Sequence, residues 1–155
     1  MSVQPIPEGY QTLTPYLMVE NPDRLIAFLR ESFGAEELFR MAGPNGILWH
    51  GELQVGTSRL MLSQATDQYP ARPAGFHVYV EDVDAAYARA LAAGAESVMA
   101  PADQFYGDRH GVVKDAEGNQ WMIATHVEEV APEELQRRAE VEMQRYAAMV
   151  DATPA

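Results

Sequence analysis

Four histidines are the side chains best suited to acid–base chemistry or ligand binding near neutral pH, because an imidazole exchanges its proton there. They are His50, His77, His110 and His126. His50 and Glu52 are two residues apart, so on a strand they share a face, either as a carboxylate-oriented imidazole or as a half-buried network. His77 lies between Gly75 and Tyr79 on one strand face, where it either contacts a ligand or shapes a cavity. Local spacing fixes no acid partner for His77, so its role as a general base is the weaker hypothesis.

A glycine-containing loop carries a second group of polar and aromatic side chains. Asp108 and Arg109 follow each other there, and this pair is expected to pin the loop rather than to act in catalysis. Phe105 and Tyr106 offer flat faces that suit an aromatic or heterocyclic compound. His126 ends the last predicted strand and is expected at the rim of the same site.

The elements that carry these groups occur twice along the chain. Residues 14–36 align with residues 75–96 given one gap, and both segments end in the tripeptide Gly-Ala-Glu. About 60 residues separate His50-Gly51 from His110-Gly111, and a fixed period of this kind indicates repeated structural units. The equivalence of His50 and His110 favours a role in turn geometry for both.

Each half reads as strand, helix, and three further strands. The helices are predicted to begin after Asn21 and Asp82 as N-caps and to run to Gly34 and Gly94. The later strands fall near 36–42, 47–55 and 58–64, and near 96–100, 109–114 and 119–126, with a looser segment at 101–108. The predicted fold is therefore α+β, with two tandem βαβββ modules forming a curved mixed sheet around a cleft, plus a C-terminal helix.

The domain organisation follows from the repeat. Residues 1–130 form one domain, with modules at about 10–66 and 74–130, and residues 131–155 form the C-terminal helix and tail. An apolar stripe on this helix should cover the chain's own sheet or a dimer seam. The stripe consists of Leu135, Ala139, Met143, Tyr146 and Val150.

Alternation within the strands separates an apolar face from a mixed one. The apolar face, with Leu17, Leu62 and Ile123 among its members, should pack under the helices. The other face mixes polar, aromatic and methionine side chains, which is typical of a cleft for a small organic ligand. The candidate ligand-binding residues are Tyr16, His50, Glu52, Met61, His77, Tyr79, Phe105, Tyr106, Met122 and His126.

The repeated pattern resembles the vicinal oxygen chelate superfamily, which includes glyoxalase I, extradiol dioxygenases and bleomycin-resistance proteins. The matching segments are YLMVEN…FLRESFGAEELFRM, HVYVEDVDAAYARALAAGAE and ADQFYGDRHGVVKDAEGNQW, and the bacterial bleomycin-resistance-like branch is the most similar. The resemblance covers residues 10–130. It implies a homodimer in which modules pair within or between chains, and a substrate or ligand in the cleft.

In the metal-using members of that superfamily, the first and last strands of each module supply the metal ligands. The corresponding positions here are Thr14, Met61, Gly75 and Met122, none of which is a carboxylate or an imidazole. Hard and borderline divalent ions need oxygen or imidazole nitrogen. We therefore expect no cofactor, with a displaced site at His50, Glu52, His77 and His126 as the minor alternative.

Composition narrows the classes of partner. The formal net charge of −12 would repel nucleic acid phosphates and anionic membranes, and no apolar stretch is long enough to span a bilayer. The chain has no cysteine, which excludes disulfides and thiolate metal sites. With no signal-peptide pattern at its start, the chain is expected to be cytoplasmic and to bind a small molecule.

Two functions from different classes remain. The first is a metal-free small-molecule-binding protein that sequesters a drug-like or aromatic metabolite in a cleft. The second is a glyoxalase- or dioxygenase-like lyase, isomerase or oxidoreductase that uses a displaced metal or acid–base chemistry based on His77, Glu52 and Tyr106. The sequence leaves open whether any reaction is catalysed.

Overall fold

The computed structural model describes residues 3–151, so the first two residues and the predicted tail at 152–155 lie outside the described part. The first module contains strand β1 (Tyr16–Val19), helix α1 (Pro22–Phe33) and strands β2 (Glu36–Ala42), β3 (Leu48–Val55) and β4 (Ser58–Gln64). The second contains β5 (Gly75–Tyr79), α2 (Val83–Ala92), β6 (Glu96–Asp103), β7 (Asp108–Lys114) and β8 (Gln120–His126). Helix α3 (Pro132–Asp151) follows. The predicted α+β fold with two βαβββ modules is confirmed.

Local sequence sets the helix ends as expected. The Asn21 side chain accepts a hydrogen bond from the backbone N–H of Arg24, and Asp82 caps α2 in the same way. Gly34 ends α1 in the left-handed region at φ 69°, a conformation that costs glycine little. Helix α2 ends two residues before Gly94, slightly earlier than predicted.

Each module forms its own four-stranded mixed sheet. The strand order is β1-β4-β3-β2 in the first sheet and β5-β8-β7-β6 in the second. The first strand of each module pairs in parallel with the last, and the remaining pairs are antiparallel. β6 extends to Asp103 and pairs with β7, so the first part of the segment predicted as loose is strand, and residues 104–107 form the loop.

The two modules share one hydrophobic core. The predicted apolar faces are confirmed, since Leu53, Leu62 and Ile123 are fully buried. Helices α1 and α2 contact each other, and the ring of Trp121 from β8 lies 5.5 Å from that of Phe33 on α1. The modules therefore meet through their helices and helix-facing surfaces, while the opposite sheet faces point away from this core.

A polar contact also fixes one module against the other. Glu117, in the β7–β8 turn, forms an ion pair with Arg24 on α1 at 2.6 Å. The same carboxylate accepts hydrogen bonds from the backbone N–H groups of Glu20 and Asn21. The second module thus supplies an acceptor to the chain just before α1, where helix N–H groups need one.

Arg138 anchors helix α3 near its base. Arg138 pairs with Glu128 at 2.7 Å and donates to the backbone oxygen of Phe105. From residue 141 to residue 150 every side chain is exposed, including Met143 and Tyr146 of the predicted stripe. The expectation that the stripe covers the chain's own sheet is therefore wrong for its second half. No helix among the described residues is long and apolar enough to cross a membrane.

Candidate functional site

On the first sheet, the face turned away from α1 carries a chain of hydrogen bonds. The Tyr16 hydroxyl lies 3.0 Å from Nδ1 of His50, and Nε2 of His50 lies 3.2 Å from Glu52. Tyr10, from the segment before β1, donates its hydroxyl hydrogen to Glu52. His50 and Glu52 therefore share a face as predicted, and the carboxylate does orient the imidazole. Both residues lie within β3, so the predicted role of His50 in a turn is wrong.

The segment before β1 contacts the same face through Arg59. The guanidinium lies 4.5 Å above the centre of the Tyr10 ring and donates to the backbone oxygen of Glu8. Burial and the neighbouring Glu52 carboxylate raise the pKa of Tyr10. The hydrogen bond from Tyr10 lowers the pKa of Glu52, with a smaller contribution from His50 that acts against burial. Glu52 is thus held ionised and fully partnered.

Beside the hydrogen bonds that link Tyr16, His50 and Glu52 lies an aromatic pocket of about 500 Å³. Its principal walls are Tyr16, Met18, Trp49, Ser63, Gln64 and Tyr69. Trp49 is 60% exposed and Tyr69 is 57% exposed, so both rings are available to a ligand. An exposed tryptophan and tyrosine around a concave surface are well suited to bind a flat apolar molecule.

Sequence reasoning missed Trp49 because the alternation of β3 is broken. In the pairing with β2, Met41 is opposite His50 and Ala42 is opposite Leu48, so Trp49 has no partner of its own. Such a bulge shifts the facing of the residues before it by one position. Leu48 consequently turns into the core and Trp49 turns outward. The Gly-Pro-Asn-Gly segment before β3 is the signal in the sequence that could have indicated an irregular strand entry.

On the second sheet, the corresponding face is organised by a buried carboxylate. Asp108 is only 3% exposed, accepts a hydrogen bond from the Tyr79 hydroxyl at 2.9 Å, and lies 2.8 Å from Nδ1 of His126. Asp108 and Arg109, predicted to pin the loop, contact different partners, because adjacent strand residues point to opposite faces. Arg109 instead pairs with Asp84 at 2.7 Å.

These contacts shift the pKa values in a consistent pattern. Burial of Asp108 is outweighed by its hydrogen bonds with His126 and Tyr79, so the pKa of Asp108 is lowered. The same hydrogen bonds raise the pKa of Tyr79 and that of His126. The Asp108–His126 pair is therefore stabilised as carboxylate and imidazolium.

The shifted pKa of His126 predicts a pH dependence of stability. Because its folded-state pKa lies above the unfolded value, His126 contributes stability that is fully present below the unfolded pKa and lost as the pH rises through the folded pKa. In Asp108→Asn, we expect the His126 pKa to fall towards the ordinary histidine value. NMR titration of the histidine ring protons measures this shift. Glu129→Gln, which removes only an exposed neighbour, should change it less, and an equal change would contradict the assignment.

Next to this group lies a second one built on His77 and His110. The two imidazole rings are 5.5 Å apart and nearly parallel, and the His77 ring lies 4.7 Å from that of Tyr79. The Tyr106 hydroxyl is 3.0 Å from Nδ1 of His110. His110 lies in the middle of β7, so a role in turn geometry is wrong for this residue as well.

The resemblance marks Thr14, Met61, Gly75 and Met122 as the positions where the superfamily's metal users carry ligands. In the strand register, Met61 pairs with Tyr16, Gly75 with Gln120 and Met122 with His77. None of the four positions offers a carboxylate or an imidazole for a hard or borderline divalent ion. Among residues 3–151, no group of three or more carboxylates and imidazoles is placed to hold a metal ion.

The structure distributes the predicted site residues over two faces. Tyr16, His50, Glu52 and Met61 belong to the first sheet, whereas His77, Tyr79, Met122 and His126 belong to the second, with Phe105 and Tyr106 in the loop before β7. The candidate catalytic set of His77, Glu52 and Tyr106 is thus divided between the sheets. Glu52 is hydrogen-bonded to residues of its own half of the chain, and His77 contacts side chains of its own sheet.

Two βαβββ modules, each with a polar and aromatic sheet face opposite its helix, define a class of paired-module proteins. The chain belongs to the Glyoxalase/Bleomycin resistance protein/Dioxygenase superfamily, whose family model matches residues 11–123. An uncharacterized protein of Mycobacterium bovis is 38% identical over 135 residues, which cover 80% of this chain and 89% of that protein.

Solved structures agree with this membership. TioX from Micromonospora sp. ML1 is 28% identical, with a TM-score of 0.65 over 76% of this chain and 99% of TioX. A glyoxalase/bleomycin resistance protein/dioxygenase from Nocardioides has a TM-score of 0.58 at 22% identity, covering 79% of this chain and 87% of that one. The similarity to the Nocardioides protein shows a shared fold.

Proposed function

We propose that this chain is a cytoplasmic, metal-free protein that binds and sequesters an aromatic small molecule. The observation that carries this proposal is the aromatic pocket on the first sheet, where Trp49, Tyr69 and Tyr16 present their rings around about 500 Å³. A cavity of this size matches the lower range of ligand pockets. Its polar groups are amides and hydroxyls such as Gln64 and Ser63, which orient a neutral ligand without demanding a charge.

The side chains at the positions where metal-using members of the superfamily carry ligands support binding without a metal. Met61 and Met122 replace ligands with flexible apolar side chains, and methionine adapts to irregular ligand shapes. Glu52 is already committed to Tyr10 and His50, which leaves it little capacity for a cation. The face of the first sheet thus favours an uncharged or weakly polar organic molecule.

We further propose that the site is completed in a homodimer. Because the modules of one chain meet through their helices, each sheet face lacks an opposing wall within the chain. β1 and β5 are edge strands with uninterrupted register, whereas the other edge strands, β2 and β6, are blunted by bulges. Pairing of β1 with β5 of a second copy would place the first sheet of one chain beside the second sheet of the other.

A thermal-shift screen with neutral aromatic and heterocyclic compounds tests the proposal. A compound that binds the folded state raises the melting temperature in proportion to the logarithm of its concentration above Kd. We expect at least one such shift, a dimer by sedimentation, and far less than one equivalent of Zn, Fe, Mn or Ni in the purified protein. Stoichiometric metal that is lost in His77→Ala, or no shift across the library, would contradict the proposal.

A second candidate function is acid–base catalysis without a metal. The observation that favours it is the buried Asp108 carboxylate, which holds His126 by Nδ1, while Nε2 lies 3.4 Å from the exposed Glu129. Turnover of a bound compound that disappears in His126→Gln, while binding persists, would favour this function over sequestration.

A further inference from the structure

A second cavity, of about 790 Å³, opens between the two modules. Its walls come from the β3–β4 turn, from strand β5 and from side chains of α1, α2 and β8. The principal lining side chains of this inter-module cavity are Phe33, Val55, Phe76, Val78, Arg89 and Trp121. None of its lining residues belongs to the aromatic pocket, so the two concave surfaces are separate.

The cavity exists because the last hairpins of the two modules differ in length. Between β7 and β8, residues 115–119 form the turn, and its Glu117 reaches the chain just before α1 in the first module. Between β3 and β4, only Gly56 and Thr57 form the turn. The shorter turn does not fill the corresponding space beside the second module, and its two residues line the cavity instead.

The short turn also leaves apolar side chains of the second module incompletely covered. Phe76, Val78 and Val80 pack against the shared core but are only half-buried. Val19, the counterpart of Val80 in the repeat, is 2% exposed. The Phe76 ring stacks on that of Trp121 at 4.6 Å and gives the cavity a flat aromatic wall. An apolar molecule in the cavity would remove this surface from water, which is favourable.

One cation at the cavity has no carboxylate partner. Arg89 on α2 donates from Nε to the backbone oxygen of Ser32 at 3.2 Å, and its terminal nitrogens have no hydrogen bond within the described part of the chain. Every other arginine of the described helices pairs with a carboxylate. Glu81 and Asp82 also line the cavity, but neither forms an ion pair with Arg89 among the described residues, and Asp82 caps α2.

This pattern is informative because acidic residues outnumber basic ones 23 to 11, so carboxylate partners are plentiful. A guanidinium with N–H donors to spare, next to an apolar wall, matches a molecule with a carboxylate at one end. The net charge of −12 repels anions from most of the surface. A carboxylate that binds this chain must therefore be held by local contacts.

We propose that the inter-module cavity binds an amphipathic carboxylate, with its apolar body against Phe76, Val78 and Trp121 and its carboxylate on the guanidinium of Arg89. The site goes beyond the proposed function, because it lies apart from the aromatic pocket and takes an anion rather than a neutral molecule. All of its groups come from a single chain.

A pair of probes of similar size tests this site. 2-Naphthylacetate carries a carboxylate, and 2-acetylnaphthalene is a neutral ketone. The chain has two tryptophans that report on the two sites, since Trp121 lines the inter-module cavity and Trp49 lines the aromatic pocket. In a proton–nitrogen-15 spectrum of the wild-type protein, we expect 2-naphthylacetate to shift the indole signal of Trp121 and 2-acetylnaphthalene to shift that of Trp49.

Substitution of the arginine tests the charge. Arg89→Gln should weaken binding of 2-naphthylacetate by roughly tenfold in titration calorimetry, because a charge-assisted hydrogen bond is lost. Binding of 2-acetylnaphthalene should be unchanged. Arg72→Gln is the matched control, since Arg72 is also exposed, forms no ion pair among the described residues and lies outside both cavities. Its affinity for 2-naphthylacetate should equal that of the wild type.

The outcomes separate this site from the proposed function. The inter-module site is overturned if 2-naphthylacetate does not bind, shifts only Trp49, or binds Arg89→Gln as tightly as the wild type. It is also overturned if Arg89→Gln changes the sedimentation of the protein, because the cavity would then be a contact between copies. If 2-acetylnaphthalene alone fails to bind, only the proposed function is contradicted. The wild-type spectrum decides the matter where a variant fails to fold.

Discussion

Replacing Trp49 by alanine is expected to weaken binding of 2-acetylnaphthalene by about tenfold to thirtyfold, the usual cost of removing a central aromatic contact. Trp49 stands on the bulge of β3, largely exposed, so its loss should leave the free energy of unfolding nearly unchanged. Titration calorimetry gives the affinity, and urea unfolding gives the stability.

The chain offers a matched control for this variant. Tyr146 on α3 is 70% exposed and lies outside the pocket, so Tyr146→Ala removes a comparable aromatic surface from a different place. The affinity of Tyr146→Ala should equal that of the wild type. Equal losses in the two variants would show that the naphthalene ring binds exposed aromatic surface without selectivity, and the pocket would not be its site.

Replacing Asp115 by alanine is expected to lower the free energy of unfolding by about 3–5 kcal/mol. The substitution removes a buried charged acceptor, and the donors that were bonded to it are left unpaired. Asp115 is 4% exposed and accepts from the Trp121 indole N–H at 2.8 Å. It also accepts from the backbone N–H groups of Glu117 and Asn119 and from the Asn119 side chain. Urea unfolding followed by circular dichroism measures the change.

Asp103 provides the comparison for this effect. It is an aspartate of the same module whose side chain is 76% exposed, and it pairs with Arg109 at 3.1 Å. Exposed pairs contribute about 0–1 kcal/mol, so Asp103→Ala should be nearly neutral. A loss as small as this in Asp115→Ala would mean that the turn rearranges to satisfy its donors without the carboxylate.

Much of the fold could be predicted from the sequence. The repeat indicates the two modules, and the alternation of apolar residues indicates which strand faces are buried. Burial of Leu53, Leu62 and Ile123 follows from the strand period, and the helix starts at Asn21 and Asp82 follow from capping. Each of these features depends on neighbours within a few residues, so no knowledge of the tertiary arrangement is needed.

The site could be predicted less completely from the sequence, because it depends on contacts between distant segments. His50 and Glu52 could be placed on one face, but the Tyr10 contact crosses 42 residues and comes from a segment with no regular structure. The bulge that exposes Trp49 is defined by pairing with β2 rather than by β3 itself. Whether the two sheet faces meet within one chain is likewise set by packing of α1 on α2, which no local pattern encodes.

The open edges of β1 and β5 have a consequence for a single copy of the chain. An unblunted edge strand presents unpaired N–H and C=O groups that can template addition of another chain, so we expect a single copy with both edges uncovered to be prone to aggregation. The net charge of −12 opposes such growth by repulsion between like-charged molecules. Acidification to the isoelectric point near 4.6 cancels the net charge and removes this protection while the strand edges stay as they are. The acidic surface therefore serves colloidal stability, which is a property of the population of molecules rather than of the binding site.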